Sequence, residues 1–322
     1  MQYASVEHLP LGPFLEGTDL QADKLLQTDH AVSFGDTRKV LRNVTRVLGS
    51  GWHLSLSDRF NLASHGPLGF AMVTATNFRA SVDVLLRFIG IRGPFLWPAG
   101  AKESDQFVIR FFEATPMGSE RNILIELALL SVQVLLERTL GRSLSGAFLA
   151  FAYPPPPYLA QLESAFNTDM VFDASGHSIS FPANLLDEPC LMHDLAMHRY
   201  LLNRCEDEMQ QMQGTLPAEL TVRQALLARP GILPGLREIA DSQHISTRTM
   251  TRRLKQGNTS YQAILEDVRR KLAVDYLLHS DLTISRISYR LGYQDPSNFG
   301  RAFRGWFGQS PGRYRRRNGG KS

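Results

Sequence analysis

Residues 236–256 read LREIADSQHISTRTMTRRLKQ and residues 284–307 read ISRISYRLGYQDPSNFGRAFRGWF, and the two stretches place their apolar residues in the same order. Leu236, Ile239, Ala240 and Ile245 recur 48 residues on as Ile284, Ile287, Ser288 and Tyr293, while Met250 and Leu254 recur 49 residues on as Phe299 and Phe303. One residue is added in the second copy's turn. Agreement over so many positions marks two copies of one supersecondary unit. In the second copy Thr283–Leu291 has helical spacing, and Gly292 suits the left-handed residue that leaves the helix. Asp295 is an N-cap candidate with Pro296 at the first helical position behind it. Ser297–Trp306 then forms a second helix with Phe299 and Phe303 inward at i, i+4. In the first copy Ser246 caps Thr247–Gln256, with Met250 and Leu254 inward. His244 stands where the second copy has Gly292, at some strain, since histidine tolerates positive φ better than a branched residue does.

Two helices joined by such a turn are a helix-turn-helix, and two copies imply a protein that reads two places on a DNA duplex. Between them Tyr261–Leu278 runs as an unbroken helical pattern, with Ile264, Val268, Leu272, Ala273, Tyr276 and Leu277 apolar. A helix of roughly 16 residues is about 24 Å long, enough to hold two reading helices about one DNA turn apart. Arg248, Thr251 and Arg252 are left on the outer face of one second helix, and Ser297, Asn298 and Arg301 on that of the other. Arginine suits guanine O6/N7 and asparagine suits adenine N6/N7 in the major groove, so these six are the expected base contacts. Phosphate contacts are expected from Ser246, Thr247, Lys255, Asp295, Arg304 and Arg315, helped by backbone N–H groups at the helix starts near Ser246 and Asp295.

Charge is distributed to match. Residues 231–322 carry 17 Lys+Arg against 7 Asp+Glu and the remainder 18 against 24, so the net +4 resolves into +10 and −6. A basic end that also carries the motif is the electrostatic footprint of nucleic-acid binding. The Arg313–Arg317 run reads as a disordered, phosphate-contacting tail.

These residues carry a resemblance. Ile239-Ala240, Ser246, Arg248, Met250, Arg252, Leu254, Gly257, Arg269, Ala273 and Leu277, followed by Ile284, Ile287, Leu291-Gly292-Tyr293, Asp295, Ser297, Phe299, Arg301, Phe303, Gly308, Ser310-Pro311 and Tyr314-Arg315, resemble the DNA-binding domain of AraC/XylS-type transcription regulators. Ser288 departs from the family's usual alanine and puts a hydroxyl at a tight helix crossing. Gly305 departs from a frequent basic residue and removes one phosphate contact. More loosely, His65–Phe70, Phe151–Pro155 and Phe172…Phe181-Pro182 resemble the arabinose-binding-like N-terminal domain of one AraC-type subgroup. The resemblance implies a module that senses a small-molecule effector and dimerises, without naming a sugar. It further implies a promoter as the DNA partner, RNA polymerase as a protein partner, and activation as the commoner mode. An N-terminal domain that only oligomerises or contacts proteins is the alternative.

The expected organisation is an α+β effector and dimerisation domain over residues 1–213, then an all-α domain over 214–322. The latter holds helix-turn-helix units at about 234–256 and 283–306 and a linker helix at 261–278, with the boundary near Gly214–Pro217 and Leu220–Leu227 as its opening helix. In the first domain, residues 1–90 look mainly helical, with a break at 65–69 before the amphipathic stretch Ala80–Ile89. Gln106–Glu113 alternates as a strand, and Asn122–Leu140 is a long core helix whose Glu126, Gln133 and Glu137 share one face. Gly146–Ala152 reads as a buried strand, Tyr158–Phe166 as a helix, and Met170–Phe172 and Ser178–Phe181 as short strands around a turn at Gly176.

Other chemistries find less purchase. No G-x-S-x-G, Walker or G-x-G-x-x-G pattern is present, so neither a catalytic residue nor a cofactor is expected. Cys190, His193, Asp194 and His198 invite a metal reading, yet on a helix the two histidines would stand about 140° apart, so no metal site is expected. Two cysteines suit a reducing, cytoplasmic setting, and no secretory signal or membrane span is legible. Phe88, Phe95, Trp97, Phe107, Phe111 and Phe112, with Phe148, Phe151 and Tyr153, read as a pocket lining or as core. Arg92 and Arg110 suit a ligand carboxylate or the surface, and no effector residue is assigned. Leu191, Leu195, Leu201 and Leu202 are candidates for a homodimer surface or for packing within their own domain.

Overall fold

Sequence-local signals set most helix boundaries in the computed structural model, which describes residues 11–22, 32–93, 95–213, 217–227, 233–280 and 282–318. The chain divides into two compact units: Met1–Leu85, Gln106–Phe111 and Pro116–Leu202, and then Leu86–Asp105, Phe112–Thr115 and Asn203–Ser322. Of the boundary expected near Gly214–Pro217, residues 214–216 lie outside the described residues.

The α+β part begins with α1 (Phe34–Leu48), whose cap Ser33 accepts the Asp36 amide. The break expected at 65–69 is narrower than it reads. Gly66 turns at φ 56° and Pro67 at once starts α2 (Pro67–Val73), followed by α3 (Phe78–Phe88). Gly69 sits inside α2 because a Cβ there would come within 2.5 Å of the Leu62 carbonyl oxygen. The core helix α4 (Arg121–Leu140) is buried on nearly every side, as an all-round apolar helix must be.

Five strands form one sheet: β1 (Leu96–Glu103), β2 (Gln106–Glu113), β3 (Phe148–Ala150), β4 (Asp169–Val171) and β5 (His177–Pro182), ordered β1-β2-β5-β3-β4. The sequence did not announce β1, because LWPAGAKE is poor in β-branched residues; its proline is tolerated on an edge strand. The strands flanking Gly176 do not pair with each other. β3 lies between them, antiparallel to β5 through Leu149↔Ile179 and parallel to β4 through Leu149↔Met170. β5 buries His177, Ile179 and Phe181 alternately, and β2 pairs with it from Gln106↔Pro182 to Phe111↔His177. Helix α5 (Leu159–Phe166) precedes β4, and α6 (Leu195–Gln213) follows β5.

The all-α part comprises α7 (Ala218–Leu227), α8 (Leu236–Ser242), α9 (Thr247–Gln256), α10 (Tyr261–His279), α11 (Ile284–Arg290), α12 (Pro296–Phe307) and α13 (Pro311–Asn318). One core serves all of it: Ile239, Met250 and Leu254 from the first copy meet Ile264, Val268 and Leu272 of α10 and Ile287, Phe299 and Phe303 of the second. The Arg313–Arg317 run is a correction to the sequence reading. It is helical rather than disordered, started by Pro311 and capped by Ser310, whose hydroxyl accepts the Arg313 amide at 3.3 Å.

Candidate nucleic-acid interface

Each turn is built from the same hydrogen bond. The Ile245 amide donates to the Ala240 carbonyl at 3.1 Å, and 48 residues on the Tyr293 amide donates to Ser288 at 3.1 Å. His244 takes φ 52° and Gly292 φ 71°, so histidine does occupy the left-handed position where the other copy has glycine. Ser246 caps α9 by accepting the Thr249 amide, and Asp295 caps α12 by accepting the Ser297 amide at 2.7 Å with Pro296 in the first turn. The second turn has an extra support. Arg269 of α10 donates through Nε to the Leu291 carbonyl at 2.7 Å and through a terminal nitrogen to Gly292 at 3.2 Å, with its guanidinium 4.6 Å from the Tyr293 ring centroid.

Burying Met250 and Leu254 leaves Arg248, Thr251, Arg252 and Lys255 exposed along one stripe of α9. Burying Phe299 and Phe303 leaves Ser297, Asn298, Arg301 and Arg304 exposed along α12. At the 49-residue offset Arg248 matches Ser297, Arg252 matches Arg301 and Lys255 matches Arg304, so the repeat extends to the outer faces. The side chains of Arg248, Arg252, Arg253, Lys255 and Arg304 make no hydrogen bond or ion pair among the described residues, which leaves their charge uncompensated. Arg253 belongs to this set although the sequence reading passed over it; the charge run Arg252-Arg253…Lys255 was the available signal.

Side-chain pairing refines several assignments. Arg301 donates to Asn298 Oδ1 at 2.5 Å, so the two present one coupled unit. The Thr251 hydroxyl donates back to the Thr247 carbonyl at 2.8 Å. The Asp295 carboxylate is occupied as a cap, and hydrogen bonds from Ser297, backbone first, hold it below the ordinary carboxylate range. Any phosphate there would meet the main chain rather than that side chain. Arg315, expected on phosphate, instead turns inward and donates to the carbonyls of Leu277, Tyr276, Ser280 and Leu282, closing the C-terminal end of α10. Ser288 is wholly buried and its hydroxyl has no hydrogen-bond partner among the described residues, the consequence expected of a serine at that crossing.

The N-terminal candidates scatter. Phe88, Phe111, Phe151 and Tyr153 are core, Phe148 is 40 % exposed, and Arg92 pairs with Glu208. The Cys190–His198 group does not lie on one helix, because α6 starts only at Leu195. These residues instead satisfy carbonyls at the end of α2: the Asp194 amide donates to Thr74, and ring nitrogens of His193 and His198 meet the Thr74 and Ala71 oxygens. No helix among the described residues is long and apolar enough to cross a membrane.

Two basic reading helices on one linker, with an α+β domain before them, define a DNA-binding transcription regulator. The model of the arabinose-binding domain of AraC transcription regulators matches residues 9–190, and a helix-turn-helix domain model matches residues 239–317. The chain belongs to the AraC family. It is 31 % identical to the ornithine utilization regulator of Pseudomonas aeruginosa over 266 residues, 81 % of this chain and 77 % of the relative. An uncharacterized HTH-type transcriptional regulator of Mycobacterium tuberculosis is 24 % identical over 98 % of this chain and 94 % of its own. Among solved structures, the transcriptional regulator CdpR from Pseudomonas aeruginosa aligns with TM-score 0.41 at 20 % identity, covering 89 % of this chain and 99 % of that one.

Proposed function

We propose that the protein is an effector-controlled promoter activator in which both recognition helices read bases. The reading is carried by the matched outer stripes of α9 and α12, each bearing basic groups and both anchored in one core. Arg248, Thr251 and Arg252 contact one element, and Ser297, Asn298 and Arg301 a second about one DNA turn away. Lys255, Arg253 and Arg304 contact phosphate, as do main-chain groups at the starts of α9 and α12 near Ser246, Thr247 and Asp295. Residues 1–213 act as the sensing and dimerising domain and residues 214–322 as the reader, in the cytoplasm, with RNA polymerase as the protein partner. Activation takes its support from a 38 % match over 81 residues to the transcriptional activator NphR of Rhodococcus sp. Effector binding shifts the population of DNA-competent molecules by about 1–3 kcal/mol of coupling.

For the homodimer, the start of α6 and the residues before it offer Leu191 at 73 % exposure, Met192, Leu195 and Tyr200. Leu201 is buried and drops out of the proposed surface. Selection from a randomised DNA library with the full chain, with and without a metabolite panel, tests the whole reading. Two half-elements about one turn apart are expected, with recovery changed by one metabolite. A single short element would sink two-helix reading, and recovery indifferent to every metabolite would favour the N-terminal domain as an oligomerisation module alone.

A further inference from the structure

One face of α4 carries more polar chemistry than a core helix needs. Glu126, Leu130, Val134 and Glu137 follow one another at i, i+4, i+8 and i+11, so they share a face. At its inner end Glu126 is fully buried and accepts from the Tyr153 hydroxyl at 2.5 Å and the Tyr158 hydroxyl at 3.1 Å, with His53 Nε2 at 2.5 Å from its other oxygen. His53 is itself fully buried, and its Nδ1 has no hydrogen-bond partner among the described residues. At the outer end the same face opens into a cleft of about 1320 Å³, walled by the 3₁₀ segment Trp52–Arg59, α4 and α5. Trp52 and Leu54, on either side of His53, both line it. Gly51 lets the wall close on α5: at φ +85° a Cβ there would fall 2.2 Å from Gln161 Oε1.

The charged groups at this cleft indicate what it takes. Arg138 is exposed and makes no hydrogen bond or ion pair among the described residues. Next to it in sequence Glu137 uses Oε1 to accept from Gln133 and the Leu144 amide, leaving Oε2 without a partner among the described residues. Arg142 is held by Glu188 at 2.7 and 2.8 Å. An unpaired guanidinium and a carboxylate oxygen lining one cleft complement a small molecule with a carboxylate and an ammonium on neighbouring carbons. A neutral sugar would leave both charges unmatched.

We propose that this cleft is the effector site and that it binds a free amino acid, its carboxylate on Arg138 and its ammonium on Glu137, above the buried Glu126–His53 network. The inference rests on the effector-controlled reading above and deepens it. Trp52 in the wall supplies a fluorescent reporter. The full chain is titrated with L-ornithine (amphoteric), glutarate (anionic) and L-arabinose (neutral), reading Trp emission and the thermal midpoint. A saturable response to L-ornithine is expected, with at least tenfold less affinity for glutarate and none for L-arabinose. Arg138→Met and Glu137→Gln should each weaken L-ornithine at least tenfold. Ser164→Trp, at an exposed position on the cleft wall, should abolish the response while DNA binding without ligand is retained.

A response to L-arabinose or glutarate in place of L-ornithine overturns the ligand class and leaves effector control standing. A response unmoved by Ser164→Trp and Arg138→Met overturns the site and likewise leaves effector control standing. Silence from all three probes overturns the proposal, and the metabolite-panel selection then decides whether any effector exists.

Discussion

The two helix-turn-helix copies share a backbone plan and differ in how they hold it. The first makes its turn with a histidine in the left-handed region, caps its reading helix with a serine and packs a methionine and a leucine beneath it. The second uses glycine, aspartate and two phenylalanines, adds Arg269 from the linker helix against its turn, and carries an unsatisfied serine hydroxyl where the first has Ala240. Equivalent geometry is thus reached through different local chemistry, and the two halves should respond differently to the same perturbation.

The largest expected difference lies in the packing under the reading helices. Phe303 meets Phe299, Phe307 and Tyr314 at centroid distances of 5.7, 4.6 and 5.3 Å, so Phe303→Ala should cost about 3–5 kcal/mol by denaturant unfolding. Leu254→Ala should cost about 2–5 kcal/mol. Because the core is shared, both should abolish reading at both elements; survival of one element in either variant would show that the copies fold separately.

Base contacts sharpen the comparison next. Arg252→Ala and Arg301→Ala should each cost about 1–3 kcal/mol and relax one position of the selected motif. Asn298→Ala and Arg301→Ala should be strongly non-additive, since the two side chains are bonded, whereas Arg252 has no such neighbour. A uniform loss on all sequences would reassign these arginines to phosphate.

Smaller effects come from the turns. His244→Gly should stabilise by up to about 1 kcal/mol by relieving a positive φ, while Gly292→Ala should destabilise, both through φ and because its Cβ would press Arg269 at 3.2 Å. Ser288→Ala should gain about 1 kcal/mol, the hydroxyl being buried without a partner. Thermal unfolding of the three variants checks the signs together.

The smallest effect is one of pH. The Asp295 cap has its carboxyl lowered from the ordinary 3.8, so its stabilisation is complete above that value and is lost as pH falls below it. The Ser246 cap does not titrate. The protection of amides in the first turn of α12, corrected for intrinsic exchange, should therefore fall relative to that of α9 as pH drops below 3.8.

What the sequence disclosed follows from the range of the interactions. Caps, turn residues and the i, i+4 inward pairs act within a few residues, so Ser246, Asp295, Gly292, Phe299 and Phe303 could be placed in advance. Arg315 could not, because the carbonyls it satisfies lie 33–39 residues earlier and its position in a run of arginines reads as tail. The Asn298–Arg301 bond depends on rotamers that spacing permits without requiring. In the N-terminal unit Glu126 showed as a polar interruption of a core helix, yet its partners His53, Tyr153 and Tyr158 come from 27 to 73 residues away. β1 was silent for the reason that edge strands often are: its partner strand, not its composition, makes it a strand.

The single core under both reading helices has a consequence for the promoters such a protein can share. Anchored in one core among the described residues, the two copies would act as a fixed caliper where both read bases as proposed. Inserting about five base pairs between the half-elements would carry one of them to the far side of the duplex, roughly half a helical turn. On that proposed reading, target sites would drift letter by letter within each half-element, while the count of base pairs between them would stay frozen.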